Sequence, residues 1–353
     1  MDSDVASILI KIGGKKLTAT QLGYLKSFNV KQDIGSNATA TLTFFDGFTE
    51  LQENSRFAIG KEIAIEIGNT GKTQSIFKGD VKKIKFDSKV EAADEIVLTC
   101  HDFLHRLSKI KKNRNFDKKK LSDIAGQMAG EAKLRGNKIQ ATTQVYEQLV
   151  QKATESNLAF LRRFADDLGY EVDLDDGGGL FFKKARHMSA KKSGVVLEWG
   201  KSLIDFNAEL SLDGILTEVT VSSVDIDKKT KISETAKAGD EKKIGSPKIM
   251  GTKEAKKNLK GTDTAELIID DRPSLTKAQA KSMAVAKLTE ESMNYLQADG
   301  ECVGEPKFKL GTLVEIKGVG KKLSGDYYVT SYTHTYNSAG LKTSFEMKAN
   351  GTF

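Results

Sequence analysis

Over its first hundred residues the chain alternates apolar and polar positions with a period of two, as half-buried strands do. Ser7–Ile12, Tyr24–Asp33, Ala38–Phe45, Glu62–Ile67, Ile76–Phe86 and Glu95–Cys100 carry the alternation, divided by Gly, Asn and Asp turns. Strands at that spacing predict a closed barrel or a sandwich. From about Asp117 the period lengthens. Leu121, Ile124, Ala125, Met128 and Ala132 form one helical stripe stopped by Gly136. A second helix is predicted over 156–168, with Leu161, Phe164, Ala165 and Leu168 on one face and Gly169 at its end. Tyr170–Lys184 then reads as a hairpin around an Asp-Gly turn.

Strand character returns at Val195–Leu197 and lasts to Val224. The stretch 226–262 is too poor in apolar residues for a core and reads as an extended or mobile arm. Thr276 and Gln279 make a capping box for a helix running to about Leu296, with Ala280, Met283, Ala284 and Leu288 inward. After Pro306 the chain is β to its end.

Two stretches repeat one grammar. Phe57, Ile59, Gly60, Ile63 and Ile65 are spaced as Phe308, Leu310, Gly311, Val314 and Ile316. A Gly-Asp pair follows each, Gly79-Asp80 and Gly325-Asp326, and opens an alternating strand. Upstream, Phe28-Asn29 precedes Thr41, Leu42 and Thr43, while Phe206-Asn207 precedes Thr217 to Val221. Landmarks in the same order predict a duplicated barrel. The fold class is therefore β-rich α+β: two similar β-barrels with helical and hairpin insertions. The expected domains are a first barrel over 1–107 and a helical and hairpin insertion over 108–194. A second barrel is made of 195–225 and 303–353, and a lysine-rich arm and helix over 226–302 are inserted in it. Three chains carrying two such units each would present six near-equivalent units around an axis, a device for matching a three-fold partner to a six-fold one.

Composition narrows the function. The chain has 353 residues, 39% hydrophobic, with a net charge of +7. Two cysteines, Cys100 and Cys302, cannot make a disulfide framework and read as buried hydrophobes. Apolar runs fall short of the ~20 residues of a membrane helix, and the acidic start does not read as a secretory signal, so synthesis in the cytoplasm is expected. Basic residues concentrate in 109–120, seven against one acid, and in 226–262, 11 lysines against five acids. A nucleic-acid-binding module would need such tracts, but they lack the interleaved aromatics on which bases stack. Solvated connectors are the simpler reading, with 109–120 set against a lumen or an acidic partner.

Enzymatic signals are sparse. His101 and His105 would share a helix face and could hold zinc for a hydrolase, although Asp102 stands where a general-base Glu would be needed. Gly177, Gly178 and Gly179 lie between strands and precede no helix, so they read as a turn and not as a phosphate cradle. Asp166, Asp167, Asp173, Asp175 and Asp176 could flank a glycan but occupy a helix end and a turn, where solvated acids are ordinary. No enzymatic activity, cofactor or metal is expected.

The segment 145–172 resembles the helical signature of late control protein D and the hub region of type VI spike proteins. The residues that carry it are Val150, Gln151, Glu155, Ser156, Asn157, Phe160, Leu161 and Arg163, then Gly169 and Tyr170. The end of the chain is similar to the family's closing motif through Gly325, Tyr327, Val329, His334, Tyr336, Gly340, Thr343, Phe345 and Glu346. The resemblance implies a baseplate hub of a contractile tail or injection system, with two tube-protein-like barrels per chain and three chains per hub. It would lie between a hexameric inner tube and a trimeric spike, near tape-measure and baseplate wedge proteins, in a virion or extracellular particle. Fused spike proteins continue into further domains, whereas this chain stops at Phe353, so the spike is expected to be a separate protein. Glu155, Ser156, Phe160, Arg163, Gly169, Tyr170, Gly325, Tyr327, His334, Phe345 and Glu346 are expected to be structural.

Overall fold

A computed structural model describes residues 7–46, 51–69, 72–90, 92–225, 230–258, 265–273 and 275–353. One large sheet organises them. Its main strands in chain order are β1 (Ser7–Ile12), β2 (Leu25–Asp33), β3 (Thr39–Phe45), β4 (Glu62–Asn69), β5 (Lys72–Lys89) and β6 (Ala92–Asp102). After a long insertion come β7 (Lys192–Glu198), β8 (Leu203–Leu210), β9 (Leu296–Val303), β10 (Leu313–Lys317), β11 (Gly325–Asn337) and β12 (Gly340–Ala349). The helices are α1 (Ala19–Gly23), α2 (Leu104–Lys109), α3 (Leu121–Glu131), α4 (Asn157–Leu168), α5 (Gly251–Asn258) and α6 (Lys277–Ser292).

The two halves share one topology. The first pairs in the order β2-β3-β6-β5-β4-β1 and the second in the order β8-β9-β12-β11-β10-β7. The irregularities coincide as well. The β5–β6 ladder shifts register between Val81 and Lys83, and β11–β12 between Val329 and Ser331. β2–β3 shifts between Leu25 and Ser27, and β8–β9 between Leu203 and Asp205. Bulges are placed features of a strand pair, and their recurrence aligns the repeats residue by residue. One strand departs from the scheme: β1 runs antiparallel to β4, but β7 runs parallel to β10. The Gly-Asp landmarks do not coincide, since the ladders align Gly79 with Tyr327 and Gly325 with Phe77, and each glycine has its own steric cause. A Cβ on Gly79 would lie 2.1 Å from the His101 carbonyl oxygen, and one on Gly325 2.1 Å from the Phe353 ring.

Two expectations need correction. The β-rich class with helical and hairpin insertions holds, but the repeats are not closed barrels. Among the described residues no ladder joins β1 to β2, and only a single bridge, Trp199 to Leu203, approaches closure in the second repeat. The edge of β2 is instead occupied by β11 of the other repeat, so its hydrogen-bonding capacity joins the repeats and cannot close one. Thr217 to Val221 is also not the counterpart of Thr41 to Thr43; that place belongs to β9, and 218–225 pairs inside the inserted unit. The insertion in the second repeat is therefore 211–295 and not 226–302.

That insertion differs from the expected arm. Part of it, 226–229 and 259–264, lies outside the described residues. Thr230–Lys237 pairs antiparallel with Glu218–Asp225, which runs parallel to Glu266–Pro273. Sparse apolar residues suffice because α6 covers the sheet: Val219, Val221, Ile232 and Ala236 pack with Ala280, Ala284 and Leu288. The capping box forms as the sequence predicts, with Thr276 accepting from Gln279 N and Gln279 from Thr276 N. The insertion between the repeats has its own core of Leu121, Ile124, Met128, Phe160, Leu161 and Phe182, fed by α3, α4 and the hairpin. Helix α3 ends at Glu131, earlier than its Gly136 stop, because Lys133 already takes a positive φ. Cys100 and Cys302 are both buried, and burial pushes each thiol up to about 12.

Candidate assembly interface

Strand and helix ends place the residues of the first motif in one knot. Ser156 is the N-cap of α4 and its hydroxyl accepts from Ala159 N at 3.1 Å. Gly169 closes the helix in the left-handed region at φ 62°, where a side chain would be strained. Glu155 holds Arg163 in a two-pronged pair at 2.9 Å, and the guanidinium lies over the Phe164 ring. Phe160 is fully buried between Phe116 and Phe164. Tyr170 starts the hairpin and meets the Phe182 ring edge-on. Replacing Ser156 by Ala should remove about 1 kcal/mol of stability by freeing the Ala159 amide. Urea unfolding followed by circular dichroism would register this as a lower midpoint at unchanged slope; an unchanged midpoint would show that the cap contributes nothing.

Sequence reasoning missed the polar network beneath this knot. Asn157 is buried and donates to Glu131 at 3.1 Å, while its carbonyl oxygen accepts from Gln151 and Arg114. Arg114 also reaches Glu131 at 2.5 Å. Burial resists the charge on Glu131, but Arg114, Gln127 and Asn157 outweigh it and hold its carboxyl down at about 2. Gln151 and Asn157, both in the motif at 145–172, are joined at the centre of this network by a 2.9 Å hydrogen bond. Of the six lysines in the basic tract, Lys112 pairs with Glu131 at 3.3 Å, and Lys118, Lys119 and Lys120 are exposed on a strand paired with Val145–Gln151.

The second motif lies at the joint between the repeats. Gly325 and Tyr327 open β11, where Tyr327 is buried against Phe206 and Phe353 and its hydroxyl donates to the Leu323 carbonyl at 2.7 Å. Phe345 stacks on Phe308 at 5.7 Å, and Glu346 is exposed on the opposite face of β12. The far half of β11 pairs antiparallel with β2, from Ser331↔Asp33 to Tyr336↔Phe28. Phe28 and Tyr336 stack at 5.5 Å, Asn29 donates to Thr335 at 3.2 Å, and the Ser331 hydroxyl donates to Asp33 at 2.6 Å. His334, opposite Val30, has no exposed surface. Its Nδ1 lies 2.8 Å from the Thr343 hydroxyl, and burial pushes its pKa down to about 3.

The residues that could have carried chemistry are placed otherwise. His101 lies on strand β6 and His105 on α2, so they share no helix face, and their rings meet edge-on at 6.3 Å. The strand runs on through Asp102, which displaces the helix that a zinc pair needs. His105 Nδ1 is 2.6 Å from the Asp102 carbonyl and Nε2 is 3.0 Å from Lys82. Among the described residues no group of three His, Cys, Asp or Glu could hold a metal ion. Asp175 accepts from Gly177 N and Gly179 N and so builds the hairpin turn, while Asp176 pairs with Lys309 at 2.5 Å. Asp173 and Glu171 both hold Arg186, which also donates to the Leu174 carbonyl at 3.0 Å. Asp173, Asp175, Asp176, Arg186 and Lys309 line a cleft of about 720 Å³ between the repeats and the hairpin. At its floor Asp102 accepts from Ala38 N and Leu104 N, yet burial lifts its carboxyl to about 7. Asp173 and Asp175 are used within the insertion, and Asp176 ties its hairpin to Lys309 of the second repeat.

A family model described as the Alg8 N-terminal domain matches residues 2–338. The chain belongs to the Alg8 N-terminal domain family. No curated protein matches it. Among solved structures, this Alg8 N-terminal domain is similar to the 43 kDa tail protein of prophage MuSo2 from Shewanella oneidensis. The two are 15% identical over 97% of this chain and 98% of that one, with a TM-score of 0.69. A tail protein from Neisseria meningitidis MC58 is 13% identical over 99% of this chain and 98% of that chain, with a TM-score of 0.67. The Escherichia coli c3393 protein is described as a type VI secretion component resembling the T4 tail proteins gp27 and gp5. It is 10% identical over 98% of this chain and 78% of that one, at a TM-score of 0.60. At these identities the likeness is one of fold. The Alg8 N-terminal domain has the fold of phage tail and type VI secretion proteins, the same group that the motifs at 145–172 and 324–350 resemble. Among the described residues no helix is long and apolar enough to cross a membrane.

Proposed function

We propose that this chain is the hub of a contractile-tail baseplate or injection particle, a homotrimer that adapts a hexameric inner tube to a separate trimeric spike. The observation that carries the reading is the pair of repeats with one strand order and matching bulges inside a single chain. Three such chains supply six near-equivalent blocks to the tube and three identical insertions to the spike. Tail and type VI proteins of the same fold support the setting. The role is mechanical and needs no cofactor or catalytic group; ten of the eleven motif residues serve packing, capping and ion pairing, and Glu346 is exposed. Tape-measure and wedge proteins are further neighbours in the particle, and nucleic acid is not a specific ligand.

Light scattering on the purified chain, alone and with its spike and tube proteins, tests this. The expected mass of the hub is three times 38.6 kDa. A mass of one or two chains that ignores both partners would remove the adaptor reading and leave the fold.

A further inference from the structure

A cleft of about 800 Å³ lies between the first repeat and the insertion that follows it. Strands β4 and β5 and helix α2 contribute one wall, and residues 133–135 with the hairpin turn contribute the other. Its charges are unbalanced. Six cationic and three acidic side chains line it, a surplus of three positive charges in a chain whose net charge is +7.

The acids are already taken. Glu66 is held by Lys11 at 2.6 Å and by the Thr73 hydroxyl at 2.8 Å. Arg106 grips both oxygens of Asp80, at 2.7 and 2.8 Å, and reaches Glu62 at 2.9 Å. Among the described residues, Lys78, Lys82, Lys133 and Arg135 are left with no carboxylate partner. Lys78 donates to the Gly177 carbonyl at 3.5 Å, and Lys82 meets His105 Nε2 at 3.0 Å. The other ring nitrogen of His105 lies 2.6 Å from the Asp102 carbonyl oxygen and carries the proton. Asp80, 3.4 Å from Nε2, favours a charged ring, but burial outweighs it and lowers the pKa. Lys82 is thus held by a neutral group and keeps its whole charge.

One of the four is placed against the preference of the backbone. Lys133 follows the C-cap of α3 and takes φ 56°, where glycine is the usual residue. Its amide donates to the Gly130 carbonyl at 3.0 Å, and that of Leu134 to the Ala129 carbonyl at 2.9 Å. The left-handed turn is therefore a built closure of the helix. A long side chain there strains the fold, and such strain persists where it serves a function.

We propose that this cleft binds a compact multivalent phosphate, which clasps the insertion to the first repeat. Lys78 and Lys82 belong to the repeat, Lys133 and Arg135 to the insertion, so a ligand that satisfies all four spans the two. A phosphate group carries about −1.5 to −2 charge at pH 7, so two or three linked groups match four cations in less space than carboxylates need. Lysine meets phosphate as a point charge, and the arginine adds a forked donor. Concave walls of low dielectric concentrate the field that draws such an anion in. Every residue of the site comes from one chain, so it stands apart from the hub reading.

Calorimetric titration of the full chain with tripolyphosphate at low salt tests the site. One equivalent should bind per chain, raise the melting temperature and bind more weakly as salt is added. Vesicles of phosphatidylcholine carrying phosphatidylinositol bisphosphate distinguish two sources of this chemistry. Co-sedimentation marks a lipid headgroup, and tripolyphosphate binding without it marks a soluble ligand; K133G should weaken either. K133G should weaken tripolyphosphate binding about tenfold while its urea midpoint rises, because glycine relieves the left-handed residue. R135Q, which leaves that backbone untouched, should weaken binding by a similar factor at an unchanged midpoint. K119Q, on the exposed strand Arg114–Lys120, should bind as the wild type does. No binding of either probe would overturn the proposal. So would equal weakening by K119Q, the mark of a diffuse positive field, and so would equal affinity for tri-glutamate. Loss of affinity and stability together in K133G would make Lys133 structural and overturn its assignment.

Discussion

Replacing Arg186 by Met is expected to destabilise the chain by about 3–5 kcal/mol, because it strands two carboxylates away from water. Arg186 follows the hairpin and is buried with Glu171 and Asp173, its guanidinium 4.3 Å from the Phe181 ring centre. Burial raises the Glu171 pKa, and Arg186 works against that rise. Burial also opposes the charge of Arg186 itself, but Asp173 and Glu171 outweigh it and raise its pKa. Each charge is tolerated because the others are there. The discriminating measurement is guanidinium unfolding of R186M and of R186M combined with Glu171→Gln and Asp173→Asn. The combined variant should recover most of the loss, since neutral polar groups cost less to bury than an unpaired carboxylate. Equal losses in both would mean that Arg186 acts through the packing of its stem and not through its charge.

Acid should weaken the joint between the repeats through His334. With the folded pKa pushed down to about 3 from an ordinary value near 6.5, the folded state binds fewer protons than the unfolded chain across that interval. Stability contributed by the neutral ring is therefore full above pH 6.5 and declines as the pH falls toward 3, by roughly 1.4 kcal/mol per unit. Asp102 works in the opposite sense. Its carboxyl is lifted to about 7 by burial, so its contribution is full below about pH 4 and is lost as the pH rises toward 7. The two effects overlap in the wild-type profile, and the difference from a His334→Gln variant isolates the histidine. From pH 6.5 to 4 the wild type should lose roughly 3 kcal/mol more than the variant by urea unfolding. Parallel profiles would show that the buried ring does not govern acid sensitivity.

The sequence revealed the repeat through residues whose roles are local. Phe57 to Ile65 and Phe308 to Ile316 enter β4 and β10 with the same turn, whereas Gly79 and Gly325 lie two residues out of step and are each fixed by a separate close approach. Helix α4 was legible from end to end because Ser156 and Gly169 are caps, which act within a turn of themselves. The joint was not legible. Alternation in Leu25–Asp33 says that one face is buried but not that Val30 lies against His334, three hundred positions on. Strand β9 alternates as a strand should, but Ala298 and Gly300 leave its inner face with little apolar weight, and the β-branched alternation of Val219 and Val221 is the stronger signal. Ile232 and Ala236 looked too few for a core because the residues that cover them, Ala280 and Ala284, come from a helix beyond the polar tract. Arg186 left no mark either, since its partners are set across a hairpin whose register only folding brings together.

The joint of β2 with β11 is made within one polypeptide, and that alters how a ring could be put together. Two blocks tethered on the same chain meet at an effective concentration that separate subunits in a cell do not reach. Half of the seams in a closed assembly would then form during folding of each chain, and only the other half would depend on encounter. An odd number of blocks becomes impossible, and a miscounted ring would be wrong by two blocks, too large an error to be absorbed by a small distortion of the sheet.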